Sequence, residues 1–269
     1  MLIDQYNRSI TYLRISVTDR CNYRCTYCMP PGGVTLKPHE QMLRYEDIIA
    51  IVREAAALGV AKIKLTGGEP LVKRNIEELV RGIAAVPGIS DLGMTTNASL
   101  LTPEKARALK QAGLMRVNIS LDTLDAAHFC RITRGGRIED VLRGIDAALE
   151  AGLTPVKINM VVFADTTVEE VDAMGRFCAA KGARLQTISH FSLHERAGKN
   201  YMEAGRPPRC EECNRLRLTA DGYFKSCLFS DDEIKVDMQN IRQSIIHAVA
   251  NKPPSGSTCT TRAMSQIGG

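Results

Sequence analysis

Nine cysteines are many for a chain of 269 residues, and six of them fall into two spaced groups. Cys21, Cys25 and Cys28 make the first; Cys210, Cys213 and Cys227 make the second. In a reducing compartment such cysteines read as metal ligands rather than disulfides. Three thiolates can wrap one side of a four-iron cluster, which leaves one iron open to a non-protein ligand. Zinc is the alternative, and it wants a fourth protein ligand. No histidine lies near the first group, whereas Cys259 and His247 are available to the second. Cys130 and Cys178 read as ordinary buried small residues. Between the groups stands Thr66-Gly67-Gly68-Glu69-Pro70. Its glycines let backbone approach a ligand closely, and Pro70 keeps Glu69 extended. Taken alone, such a segment is as readily a tight turn.

These motifs need a frame. Strand-like runs at 12–17, 61–65, 92–96, 116–121, 156–163 and 185–190 alternate with helix-like runs at 45–58, 76–85, 103–112, 138–150 and 168–180. Thr102 is a natural N-cap with Pro103 at the first helical position, and Gly113 ends that helix. Such alternation predicts an α/β fold with parallel strands and right-handed crossovers, as an open doubly wound sheet or an incomplete barrel. Either architecture puts ligands at the carboxyl ends of the strands, where the first cysteines and the Gly-Gly segment fall. After His190 the pattern changes. Residues 192–208 are polar and aperiodic and read as a linker. Residues 216–219 and 223–228 read as a hairpin that draws Cys213 and Cys227 together, and 241–250 reads as a short helix. The division falls at residue 190: 1–190 holds the first cysteine group, and 191–269 holds the second with the Gly268-Gly269 tail.

The C-x3-C-x2-C spacing, Tyr27 before its last cysteine and Gly-Gly-Glu-Pro one βα unit later resemble the radical S-adenosylmethionine (SAM) superfamily. The stretches at 13–31, 64–71, 118–125, 155–159, 213–222, 227–229 and 264–269 resemble one family in it, the GTP 3′,8-cyclases of molybdenum cofactor biosynthesis. The resemblance implies an incomplete (β/α)6 TIM-type barrel with a small C-terminal cluster-binding extension. It implies two 4Fe–4S clusters, one on each cysteine group, with SAM on the open iron of the first. Tyr27, Gly67, Gly68, Glu69 and Ser120 match positions that contact SAM. Reductive cleavage of SAM then gives a 5′-deoxyadenosyl radical that takes hydrogen from C3′ of GTP. The ribose radical closes on C8, and the product is (8S)-3′,8-cyclo-7,8-dihydroguanosine 5′-triphosphate. Arg14, Lys64, Thr95, Lys157, Arg215 and Arg217 match the GTP site. Arg215, Arg217, Gly268 and Gly269 match catalytic positions. The implied partners are an electron donor, a later enzyme of the same pathway and a second copy of the chain.

The sequence departs from that pattern in places. It is shorter by several tens of residues, and the loss falls between Leu185 and Cys210. The family's arginine-led strand is Arg184-Leu-Gln-Thr here, its glycine after Thr-Thr-Asn is Ala98, and Lys64 stands where arginine is common. Three activities therefore fit: a trimmed GTP cyclase, a two-cluster paralogue acting on another nucleotide or a peptide, and a non-catalytic metal-binding scaffold. His190 and His194 flank the rebuilt stretch and read as exposed loop residues. The net charge of +5 suits a small anion if several cations converge but does not call for nucleic acid. No run approaches the roughly 18 apolar residues that would span a bilayer, and no signal peptide precedes Asn7, so the expected setting is cytoplasmic.

Overall fold

The computed structural model describes residues 1–193 and 210–268. His194, Gly269 and nearly all of the linker expected at 192–208 lie outside the described residues.

Six strands follow in chain order: β1 (Tyr12–Ser16), β2 (Lys62–Thr66), β3 (Asp91–Thr96), β4 (Arg116–Ser120), β5 (Lys157–Val162) and β6 (Arg184–Ser189). Each pairs in parallel with its neighbour, so the order β6-β5-β4-β3-β2-β1 follows the sequence without a reversal. Helices α1 (Tyr45–Ala57), α2 (Ile76–Ala84), α3 (Pro103–Gln111), α4 (Ala126–Thr133), α5 (Ile138–Glu150) and α6 (Val168–Lys181) connect them. This is the open, incomplete six-stranded barrel that the resemblance implies, one of the two architectures that the alternation allows. Local chemistry sets the helix starts. Thr102 Oγ1 accepts from Lys105 N, and Thr167 and Glu170 close a reciprocal capping box. Helix α4 carries the first departure from expectation, because its run of eight residues is too short to show a period. It exposes Cys130, whereas Cys178 is buried as expected.

The expected hairpin is present as β7 (Arg215–Leu218) and β8 (Tyr223–Lys225), followed by β9 (Ile234–Lys235), α7 (Ile241–Ala250) and the short α8 (Met264–Ile267). It does not stand apart. Strand β7 pairs in parallel with β1, so the region after residue 210 continues the same nine-stranded sheet.

Sheets buried by helices on both faces read as continuous apolar runs. Here the strands alternate instead. Leu13, Ile15, Ile63, Leu65, Leu92, Met94, Val117, Ile119, Ile158, Leu216 and Leu218 are buried in one core cluster with apolar residues of the helices. Arg14, Lys64, Thr95, Asn118, Lys157, Asn159, Arg215 and Arg217 point to the opposite, concave face, where they line a cavity. Burial on the first face stabilises the sheet, at about 1.5–3 kcal/mol for each fully buried aliphatic side chain. The second face is left for a ligand.

Candidate active site

Two cavities lie on the concave side. The first is lined by Cys21, Cys25 and Cys28, by Tyr27, by Thr66 to Glu69, and by Ser120 and Asp122. The second is lined by Cys210, Cys213 and Cys227 together with the strand cations. They share Thr95, Asn159, Ile188 and Phe191, so one opens into the other.

In the first cavity the cysteine loop follows β1 directly. Burial raises the Cys21 thiol, pushes Cys25 up to about 12 and holds Cys28 well above the usual range. Such thiols keep their protons at neutral pH until a metal takes the proton's place. Among the described residues no three candidate ligands converge as a single ion requires. Each trio lines one cavity. That suits a four-iron cluster, in which each thiolate holds a different iron. Cys259 is buried with Leu193, Phe229 and Ile267 in a cluster against which Cys227 also packs, His247 is exposed on α7, and neither lines the second cavity.

The Gly-Gly segment lines this cavity, and its glycines also let it pass close to protein backbone. A Cβ on Gly67 would lie 2.6 Å from Thr18 O, and one on Gly68 would lie 2.2 Å from Arg20 O. Gly68 N donates to Thr18 O and Glu69 N to Arg20 O, each at 2.8 Å. The glycines thus dock the β2 loop onto the base of the cysteine loop. Glu69 is extended, as Pro70 dictates. Its buried carboxylate accepts from Leu71 N (3.0 Å), Thr96 Oγ1 (2.7 Å) and Asn97 N (2.7 Å). Burial raises its pKa to about 7 against the pull of those bonds. Glu69 is therefore a brace between two loops as well as a lining residue of the cavity. The next residue after Asn97, Ala98, holds φ +58°. Glycine is at ease there, and for alanine left-handed backbone costs about 1–2 kcal/mol.

Tyr27 and Ser120 both line the first cavity. Tyr27 Oη donates to Asp122 Oδ2 at 2.8 Å, and Asp122 Oδ1 accepts from Val161 N at 2.8 Å. Burial raises Asp122 to about 6 and Tyr27 well above its ordinary range. The Tyr27 ring lies 5.8 Å from Phe163, whose ring lies 5.1 Å from His190. His190 is exposed yet lines this cavity, so it is more than the loop residue expected. Asp122 is a site residue that the sequence reading missed; its only signal is a carboxylate two residues past a strand end.

The second cavity has eight basic lining residues and, among the described residues, no acidic one. Register puts Arg217, Arg14 and Lys64 side by side on β7, β1 and β2. Arg14 therefore lies in mid-strand and lines the second cavity with the second cysteine group. Lys64 Nζ donates to Asn118 Oδ1 (2.5 Å), which holds Asn159 in turn. Burial, with the charges of Arg116 and Arg14, lowers Lys64 to about 6. Burial, with Arg14 and Arg215, lowers Arg217 to about 9. Asp91, outside the lining, binds Arg116 at 2.8 and 2.7 Å and Lys62 at 3.3 Å. Gly93, beside Lys64 in the sheet, makes room for that lysine: a Cβ there would lie 3.0 Å from Nζ. Thr95 and Lys157 line the cavity as expected, whereas Arg184 is exposed and absent from its lining. Burial would raise Cys213, but the charge of Lys252 and neighbouring hydrogen bonds more than offset it, and this thiol is lowered.

The C-terminal tail returns to the junction of the cavities. Arg262 binds Asp221 and Glu233, and Asp231 accepts from Thr260 and Thr261. Thus anchored, α8 places Met264 and Ser265 in the first cavity. Gly268 O accepts from Arg217 Nη1 at 2.7 Å. Gly268 has φ +77°, and a Cβ on it would lie 1.8 Å from Thr66 Oγ1. Only glycine fits.

Comparison with known proteins agrees with this geometry. The model of the radical SAM superfamily matches residues 15–178, and that of the molybdenum cofactor synthesis C-terminal family matches residues 156–257. The Listeria monocytogenes protein named GTP 3′,8-cyclase is 38 % identical over 332 aligned positions, covering 100 % of this chain and 99 % of that one. The protein of the same name from Pelotomaculum thermopropionicum is 40 % identical over 324 positions, covering 99 % of each chain. Both alignments are longer than this chain, so parts of those relatives have no counterpart here. Among solved structures, Streptococcus suis SuiB bound to S-adenosylmethionine superposes with a TM-score of 0.70 at 15 % identity, covering 93 % of this chain and 66 % of that one. Native anSMEcpe with bound AdoMet gives 0.68 at 17 %, covering 90 % and 81 %. Those two likenesses concern the fold alone.

Proposed function

This chain belongs to the radical SAM superfamily and, within it, to the GTP 3′,8-cyclase family, and we propose that it converts GTP to (8S)-3′,8-cyclo-7,8-dihydroguanosine 5′-triphosphate. Membership brings SAM and an iron–sulfur cluster as cofactors and a nucleotide as substrate. One observation carries the reading. A cavity with eight basic and, among the described residues, no acidic lining side chains opens, through Thr95, Asn159, Ile188 and Phe191, into the cavity that holds Cys21, Cys25 and Cys28.

In this reading two 4Fe–4S clusters are held, one by Cys21, Cys25 and Cys28 and one by Cys210, Cys213 and Cys227. When bound, the first cluster and SAM supply the one-electron chemistry that generates the hydrogen-abstracting radical. The chain's own residues bind, orient and exclude water. Tyr27, fixed by Asp122, and His190 form an aromatic wall for the adenine, with the Phe163 ring packed against both. The Thr66–Glu69 backbone and Ser120 meet the amino-acid end of SAM. Arg14, Lys64, Lys157, Arg215 and Arg217 bind the triphosphate, because guanidinium and ammonium groups gathered on one cavity wall match the charge and geometry of phosphate. Arg217, held by the Gly268 carbonyl, is set where the two ligands meet; the reading extends this role to Gly269. Positioning of this kind is the protein's main contribution to rate.

The division at residue 190 then sets the first cysteine trio on one side and the second trio and the tail on the other, with Phe191, Met264 and Ser265 reaching across into the SAM cavity. A one-electron donor and a later enzyme of molybdenum cofactor synthesis complete the partners, and a homodimer and a cytoplasmic setting belong to the same inference. The test is anaerobic turnover of the reconstituted protein with SAM and a reductant. GTP should stimulate SAM cleavage and yield an isomer of its own mass. Slow cleavage indifferent to GTP would point to another nucleotide or a peptide. No cleavage with about eight irons bound would point to a scaffold.

A further inference from the structure

Five cationic side chains are nearly withdrawn from water: Arg8, Lys64, Arg217, Lys225 and Lys252. A buried charge needs a counter-charge. Arg8 has Asp4 at 2.6 Å, and Lys225 has Glu233 at 3.2 Å. Lys64 and Arg217 face the cavity assigned to the triphosphate. Lys252 has no carboxylate partner among the described residues, and its ammonium is already committed. It donates to Arg215 O at 2.9 Å and to Ser226 O, it lines the second cavity with Cys210, Cys213 and Cys227, and its charge lowers the Cys213 thiol. Arg215 lies two residues after Cys213, and Ser226 lies just before Cys227. The ammonium thus bridges the two arms of the β7–β8 hairpin at the points where each carries a cysteine.

The surrounding segment is built to hold it there. Arg8 donates to Cys210 O (2.8 Å), Pro253 O (2.6 Å) and Pro254 O (3.1 Å), which ties the backbone after Lys252 to the third cysteine. Gly256 lets the same segment pass close to Cys227: a Cβ there would lie 3.1 Å from Sγ.

We propose that Lys252 is the fixed counter-ion of the second cluster, which it orients by tying Cys213 to Cys227 and whose reduced form it stabilises. The inference rests on the reading that Cys210, Cys213 and Cys227 hold a cluster. Each electron added to a thiolate-bound cluster adds negative charge, and a desolvated ammonium at one of its sulfurs favours that form.

The test is an anaerobic potentiometric titration, read by electron paramagnetic resonance, of the reconstituted wild type, Lys252→Met and Lys252→Arg, each with its iron content. The first cluster's signal is identified by its response to SAM and serves as an internal control. Lys252→Met should keep about eight irons and lower only the second midpoint, by tenfold or more in the reduction equilibrium, or 59 mV for a one-electron couple. Lys252→Arg should keep the wild-type midpoint. If Lys252→Met loses the second cluster while Lys252→Arg retains it, the counter-ion role also stands. Loss of the cluster in both variants, or an unchanged midpoint in Lys252→Met, overturns the proposal. So does a raised KM for GTP with no change in midpoint, which would make Lys252 a substrate ligand. Only about four irons in the wild type would overturn the two-cluster reading itself.

Discussion

Lys64 gives a test that works on binding alone. In the free protein its pKa falls from 10.5 to about 6. At 1.36 kcal/mol per unit, charging it there costs about 6 kcal/mol. One phosphate charge about 4 Å away at an effective dielectric of about 20 returns about 4 kcal/mol. Two such charges exceed the cost, so a bound triphosphate protonates Lys64. The sign follows. Above pH 7 the free protein holds Lys64 neutral and the complex holds it charged, so binding takes up a proton and weakens as pH rises. The slope is about tenfold in Kd per unit between pH 7 and 9. Calorimetric titration of GTP at pH 8, in buffers of different ionisation enthalpy, should show uptake of about one proton from solution. Lys64→Met should bind more weakly and show none. Equal heats in all buffers for the wild type, or undiminished uptake in Lys64→Met, would refute the reasoning.

Other substitutions probe the neighbouring contacts. Gly268→Ala cannot keep its backbone beside Thr66, so Arg217 loses its carbonyl partner; a bond to a charged group contributes about 1.5–3 kcal/mol, and kcat/KM for GTP should fall roughly ten- to hundredfold. Asp122→Leu strands the Tyr27 hydroxyl and the Val161 N–H at about 1–3 kcal/mol each, so both Tm and SAM affinity should drop, with Asp122→Asn milder. Gly93→Ala pushes on the Lys64 ammonium and should raise KM for GTP several-fold while SAM binding holds. Alanine at Cys25 and Cys28, or at Cys210 and Cys213, should each halve iron content from about eight to about four.

The frame was legible because caps and punctuation agree with periodicity. Thr102, Pro103, Gly113 and Gly182 bound their helices where the apolar spacing starts or stops. Helix α4 was missed because two turns show no period, and the pairing of β7 with β1 was missed because its residues lie far apart in sequence. Alternation in β1, β2 and β7 carried a message read only at Arg215 and Arg217: polar residues at every second position of a parallel strand mark a face kept for a ligand. The cysteines and the Gly-Gly segment announced a site. Beyond lining that site, the glycines also serve the Thr18–Arg20 backbone, and Glu69 braces two loops. Spacing reveals that backbone comes close to something; it does not say to what. Asp122, Gly93 and Lys252 were invisible for the same reason, since each acquires its role from a partner brought in by the fold.

The central claim is that the two cavities hold one reaction between them. GTP deuterated at C3′ tests it most directly, under single-turnover anaerobic conditions with SAM and a reductant. Mass spectrometry should find one deuterium in the 5′-deoxyadenosine and none at C3′ of the cyclised nucleotide. Unlabelled 5′-deoxyadenosine beside intact deuterated GTP would show that the nucleotide does not meet the radical here, and would contradict the account.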